Sequence, residues 1–184
     1  MASGLLGLYW RGRKAELEQC AAAVHDSLRC MVHHGYEQFF ETGKSRRVAL
    51  KRPVDISLSS VEELLAQGVN RADAGGNPIP ELGWSMSLWS GDADDEAYSV
   101  GFHCGCYSKR VGNSVVIRLP AAGRHSLAEA SDRAVAVYHD LVRIWNPAQA
   151  VLCDGRISWK RGLLVPGSKP LAQRKLGLVK RLFA

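Results

Sequence analysis

The stretch from residue 84 to residue 119 decides the fold of this chain, and it reads WSMSLWSGDADDEAYSVGFHCGCYSKRVGNSVVIRL. Apolar residues alternate in it with small or polar residues. The apolar positions are Trp84, Met86 and Leu88, then Tyr98, Val100, Phe102 and Cys104, and finally Val115, Ile117 and Leu119. Side chains of a strand point alternately to the two faces of a sheet, so the pattern predicts a three-stranded antiparallel meander of residues 84–89, 98–104 and 114–119.

The flanking segments add strands and helices. Residues 4–10 and 150–153 are short and apolar enough for two more strands. Apolar residues at helical spacing predict helices over 13–33 and 126–145, and serine–glutamate pairs, including Ser59 with Glu62, predict the start of a short helix ending near Gln67. Tyr36 to Phe40 is interpreted as one further helical turn. The expected fold is α+β, a mostly antiparallel sheet of about five strands packed on one face by two main helices.

The charge of the chain is divided unevenly between two parts. The formal net charge is +6 over 184 residues. Eight of the basic residues and no acidic residue follow Gly155, which leaves the rest of the chain slightly acidic. We therefore expect one folded domain over 1–154 and a basic C-terminal segment over 155–184 that packs on the same domain.

Composition and cysteine usage restrict the class of protein. No apolar run approaches the roughly 20 residues that cross a bilayer, and no basic segment precedes the short apolar run near the N-terminus. The five cysteines are odd in number and lie within apolar patterns, which is typical of a reducing compartment. We expect a cytoplasmic protein that does not bind membranes.

The connection between the first two meander strands is the candidate binding site. Four carboxylates fall within five positions, at Asp92, Asp94, Asp95 and Glu96. Like charges so close together repel, so solubility is one explanation and attraction of a basic partner is the other. Trp89 lies just before them and is expected near the surface as an anchor. Trp84 and Tyr98 are either further anchors or core residues.

Catalytic and metal sites have weaker support. Cys104 and Cys106 lie at strand spacing beside His103, where we interpret the cysteines as small buried residues rather than zinc ligands. His33 and His34 stand at a helix end, where capping of the last carbonyl groups is the expected role. No phosphate loop, nucleophile elbow or dinucleotide fingerprint is present. We expect no enzyme, no cofactor and no metal.

Several short segments, in this order, resemble a known family. They are Leu8-Tyr9-Trp10-Arg11-Gly12-Arg13 with Cys20-Ala21, Ser45-Arg46-Arg47 leading to Ala49-Leu50, Gly68-Val69-Asn70-Arg71-Ala72-Asp73, Glu81-Leu82-Gly83-Trp84 with Ser87-Leu88-Trp89-Ser90-Gly91, Gly112-Asn113-Ser114-Val115 leading to Leu119-Pro120, and Trp145-Asn146-Pro147. Together they resemble the immunity protein 52 family of bacterial polymorphic-toxin systems. Asn146 departs from the acidic residue expected there, and the segment after residue 155 matches nothing in the family pattern.

The resemblance implies a specific function, which the composition of the chain alone does not predict. It implies an antitoxin that binds and neutralises a cognate toxin, an effector often delivered by a type VI secretion system and commonly a nuclease of restriction-endonuclease-like fold. The expected partner is that toxin, with no direct contact to nucleic acid. The alternative is a protein that binds nucleic acid or an anionic surface through residues 155–184, and an enzyme centred on His103 and Cys106 is a third hypothesis.

Overall fold

The structure is a computed structural model that describes residues 4–42, 53–71, 76–91, 97–119 and 127–153, with side chains in the last range described from 132 to 152. The described strands and helices follow one another along the chain. They are β1 (Leu5–Trp10), α1 (Leu17–His33), β2 (Phe40–Glu41), α2 (Leu58–Gln67), a 3-10 turn (Pro80–Leu82), β3 (Trp84–Trp89), β4 (Ser99–Cys104), β5 (Asn113–Arg118), α3 (Leu127–Trp145) and β6 (Gln149–Cys153).

The strands form one sheet in the order β2-β3-β4-β5-β1-β6, and every pair of neighbours is antiparallel. The predicted meander is the adjacent trio β3, β4 and β5. β1 lies between β5, the third strand of the meander, and β6, the last described strand. The predicted α+β fold is therefore confirmed, and the sheet has one strand more than the five or so predicted.

One face of the sheet carries the helices and the core. The alternating apolar residues of β1, β3, β4 and β5 are buried there against α1, α2 and α3. The apolar stripe of α1 is buried from Cys20 to Met31, and that of α3 is buried at Ala134, Tyr138, Leu141 and Trp145. The third helix, α2, adds Val61 and Leu65 to the same core.

The start of each of the first two helices differs from its prediction. α1 begins at Leu17, four residues later than predicted, because Glu16 caps it: the Glu16 backbone N–H donates to the Gln19 side-chain oxygen at 3.0 Å. α2 begins at Leu58, so the predicted serine capping positions are inside its first turn. Asp55 organises this end instead, since its carboxylate accepts the Ser57 backbone N–H at 2.9 Å and the Ser57 hydroxyl at 2.8 Å.

The segment after α1 is not a further helical turn. Phe39 enters the core and Phe40–Glu41 forms the edge strand β2 beside β3. Tyr98 fixes the backbone that leads into β2, because its hydroxyl donates to the Gln38 carbonyl oxygen at 2.6 Å and accepts the Gln38 backbone N–H at 3.0 Å. A two-residue strand is too short to show the alternation that predicts strands from sequence.

Candidate partner-binding surface

The acidic connection begins and ends on a hydrogen-bonded pair at one end of the sheet. The Ser90 backbone N–H donates to the Tyr98 carbonyl oxygen at 2.9 Å, and the Tyr98 backbone N–H donates to the Ser90 hydroxyl at 3.2 Å. Gly91 follows with a φ of 84°, a conformation that favours glycine. The predicted binding residues Asp92, Asp94, Asp95 and Glu96 lie outside the described residues.

Trp89 lies at the end of β3 on the face of the sheet opposite the helices. It is half-buried, and its ring centroid is 6.3 Å from that of Phe40 on the edge strand. Beside it on the same face, Ser87, Gly101 and Val116 are aligned in register across three strands and are exposed or half-buried. Because Ser87 and Gly101 have small side chains or none, the surface beside the Trp89 ring is low. This part of the face is called the shallow face below.

The other two aromatic candidates are not surface anchors. Tyr98 is buried, with 8% of its surface exposed, and its ring packs edge-on against Tyr36 and Phe39. Trp84 is half-buried on the helix side, where its ring closely approaches Gly105. Of the three aromatic residues considered from the sequence, Trp89 alone lies on the face of the sheet opposite the helices.

The opposite end of the sheet has a different character. Tyr107 and Val111 expose 42% and 41% of their surface in the connection between β4 and β5. Lys109 and Arg110 between them are exposed as well. An exposed basic tip therefore lies at the end of the sheet away from the acidic connection.

A buried asparagine fixes this basic connection, which sequence reasoning did not predict. The Asn113 side chain accepts the Cys106 backbone N–H at 2.8 Å, and it donates to the carbonyl oxygens of Cys106 at 2.9 Å and Arg11 at 3.2 Å. Gly12 lies close to the Tyr107 and Ser108 backbone, where a Cβ atom would be 2.9 Å from the Tyr107 carbonyl carbon. Two of the segments that carry the family resemblance, Leu8–Arg13 and Gly112–Val115, therefore meet here.

The cysteines beside His103 are core residues, as interpreted from the sequence. Cys104 is buried on the helix side, where the hydrogen bond with the Cys20 thiol, together with burial, raises its pKa above the usual range. Cys106 is fully buried, with its thiol 3.3 Å from the Val111 carbonyl oxygen. The two ring nitrogens of His103 face the Gly112 and Leu82 carbonyl oxygens at 2.9 and 2.8 Å. His103 and Cys106 therefore contact backbone carbonyl oxygens rather than each other.

A different cluster joins the end of α1 to α3. The His34 Nε2 atom is 3.0 Å from Asp140 Oδ2, and the Cys30 Sγ atom is 3.8 Å from the same oxygen. The hydrogen bond from His34 lowers the pKa of Asp140, whereas burial and the nearby Asp140 carboxylate raise the pKa of Cys30 to about 11. His34 is the C-cap residue of α1, as expected, but it caps through its backbone N–H, which donates to the Cys30 carbonyl oxygen at 3.1 Å, while its ring contacts α3.

The cluster could have been found from one signal in the sequence. Cys30 and His34 are four residues apart, which places them on the same face of a helix. Their partner on α3 is more than a hundred positions away in the chain, and only the packing of the two helices identifies it.

Among the described residues, no helix is both long and apolar enough to cross a membrane.

Comparison with known proteins identifies the chain's family. The family model for immunity protein 52 matches residues 4–158, which is most of the chain and includes every described strand and helix. Comparison with functionally curated proteins gives no significant match. The family consists of proteins that act against toxins and are generally not catalytic. The chain therefore belongs to the immunity protein 52 family and is an immunity protein against a toxin.

Proposed function

We propose that this protein binds its cognate toxin in the bacterial cytoplasm and neutralises it by stoichiometric inhibition, without catalysis. The proposed toxin is a nuclease of restriction-endonuclease-like fold that a type VI secretion system delivers. The family match over residues 4–158 is the observation that carries the proposal, since it makes the chain an immunity protein. The charge pattern supports a nuclease as the target.

The acidic connection supplies the charge that such a target would attract. A nuclease binds phosphates, so its substrate cleft is basic, and a carboxylate-rich segment is complementary to it. Asp92, Asp94, Asp95 and Glu96 are grouped in one short connection between β3 and β4. Complementary charge mainly increases the rate of association and selects the partner.

Trp89 and the shallow face beside it supply the apolar part of the proposed interface. The acidic residues follow Trp89 by three to seven positions, so both features belong to the same end of β3. Ser87 and Gly101 leave room for a partner to approach the sheet closely. A tryptophan beside a charged segment is a common source of binding energy at protein interfaces.

Charge reversal with a matched control tests the proposal. The cognate toxin domain would be purified as a variant of weakened nuclease activity, and association would be followed by stopped-flow fluorescence at low salt. We expect Asp94→Lys with Asp95→Lys to slow association on the order of 10-fold. Glu63→Lys with Asp132→Lys changes the net charge equally at two exposed helical positions and should leave the rate within about 2-fold.

A second variant tests the apolar anchor. Trp89→Ala should leave association nearly unchanged and raise the dissociation rate, by an amount worth about 2 kcal/mol. If both charge-reversal pairs slow association equally, the effect is long-range and the acidic connection is not the interface. If Trp89→Ala folds and dissociates like the wild type, the proposed anchor is wrong.

A further inference from the structure

The end of α1 and the last third of α3 hold three side chains that can bind a metal. Cys30 and His34 lie one turn apart on α1, and Asp140 faces them from α3. One sulfur, one nitrogen and one oxygen atom from these residues all lie within 4.8 Å of one another. We propose that Cys30, His34 and Asp140 form a zinc site that joins the two helices.

The distances between the three atoms fit a single small ion. Zinc binds sulfur at about 2.3 Å and nitrogen or oxygen at about 2.0–2.2 Å, so neighbouring ligands of a tetrahedral ion are roughly 3.3–3.7 Å apart. The carboxylate oxygen is 3.0 Å from the imidazole nitrogen and 3.8 Å from the sulfur. The sulfur and the nitrogen lie within 4.8 Å of each other, so all three distances are close to those of a ligand set around one ion.

The chemical nature of the donors selects zinc over harder cations. Calcium and magnesium prefer oxygen ligands, whereas a thiolate with an imidazole and one carboxylate is typical of zinc. The negative end of the α1 dipole and the Asp140 carboxylate both favour a cation at this position. Cys30 and Asp140 line a surface depression, so a water molecule can reach the ion and complete four-coordination.

Hydrogen bonding among the three side chains is the competing explanation. His34 and Cys30 both contact Asp140 Oδ2, and Arg143 donates to Asp140 Oδ1 at 2.9 Å. A zinc ion replaces the protons between the first two residues and the carboxylate, and it leaves the Arg143 contact in place. Cys30 differs from the buried core cysteines because it is only half-buried and lines the depression.

Metal titration of the full chain tests the proposal. The protein would be reduced, stripped with a chelator and titrated with Zn²⁺ in competition with a chromophoric chelator. We expect one ion per chain with a micromolar or tighter Kd, weakened about 10-fold or more in Cys30→Ser and in Asp140→Asn. His139→Ala is the control, because this exposed histidine precedes Asp140 on the same helix.

Cobalt provides a second readout that a structural role would not produce. Co²⁺ in the wild-type site should show thiolate-to-metal charge-transfer absorption in the near ultraviolet, and Cys30→Ser should abolish it. The proposal is overturned if the wild type binds no zinc at about 100 µM, or if Cys30→Ser binds as tightly as the wild type. If Cys30→Ser does not fold, the wild-type cobalt spectrum decides, and the lack of a thiolate band refutes the site.

Discussion

Replacement of Asn113 tests how the basic end of the sheet is held together. The side chain is 2% exposed and makes three hydrogen bonds to backbone groups. Asn113→Ala leaves the backbone N–H of the fully buried Cys106 without its acceptor. The Cys106 carbonyl oxygen keeps the Arg13 backbone N–H at 2.9 Å, and the Arg11 carbonyl belongs to an exposed residue that water can reach.

The expected loss of stability follows from what happens to these three backbone groups: only the Cys106 N–H is left without a partner. One buried donor without a partner costs about 1–3 kcal/mol, and the lost bonds to the two carbonyl groups add about 1 kcal/mol. We expect Asn113→Ala to lower the free energy of unfolding by about 2–4 kcal/mol. Urea denaturation followed by circular dichroism measures it, with Ser114→Ala, the half-buried neighbour on the opposite face, as the control.

Asn113→Asp adds a dependence on pH whose sign is fixed by the geometry. The new carboxyl keeps the acceptor for Cys106, but its second oxygen faces two carbonyl oxygens and only the protonated form can donate to them. The folded-state pKa of this carboxyl is therefore raised. The contribution of the protonated form is fully present below the unfolded-state pKa and is lost as pH rises through the folded-state pKa.

The comparison with the wild type therefore has a clear outcome. Asn113→Asp should approach wild-type stability at acidic pH and fall below it toward neutral pH. A constant difference across the pH range would refute this account of the bonds to the two carbonyl groups. A loss below about 0.5 kcal/mol in Asn113→Ala would refute the view that Asn113 holds this end of the sheet.

Three further predictions concern the core, a close approach of two segments and the C-terminal segment. Ser27→Ala should cost about 1–3 kcal/mol in urea denaturation, because the Trp145 indole N–H donates to the buried Ser27 hydroxyl at 2.8 Å; an unchanged midpoint would contradict this. Gly68→Ala should lower the free energy of unfolding by several kcal/mol, because its Cβ would clash with the Ser85 carbonyl oxygen, whereas a Cβ at Gly101 meets no atom closer than 3.6 Å and Gly101→Ala should cost far less; equal losses would be the contrary result. Deletion of 155–184 should abolish any retention on DNA or anionic vesicles at low salt and leave toxin neutralisation intact, and loss of neutralisation would assign the segment to the interface.

The alternating and helical patterns predicted most of the fold because burial imposes them directly. The core contains Val100 and Phe102 of β4, two positions apart, and Val24 and Leu28 of α1, four positions apart. These spacings are those of a strand and of a helix, and each is visible in the segment's own sequence. The position of β1 next to β5 follows from packing over long sequence separation, which a local pattern does not contain. β2 was missed for the same reason, since Phe40 depends on β3 to form a strand.

The candidate site was predictable in part. Trp89 was expected near the surface, and it lies half-buried on the face of the sheet opposite the helices. A core position was one of the two alternatives for Tyr98, and the structure confirms it. The role of Asn113 could not be foreseen, because its partners Cys106 and Arg11 belong to other segments. The Cys30, His34 and Asp140 cluster likewise depends on how two helices pack.

The proposed neutralisation of a toxin is tested most directly by titrating the protein into an active nuclease. The cognate toxin domain would be held at a fixed concentration well above the expected Kd, and cleavage of a fluorescent DNA substrate would be followed as the immunity protein is added. Inhibition should be linear and complete at one chain per toxin, as expected for a tight complex. Full nuclease activity in the presence of excess immunity protein would contradict the proposed function.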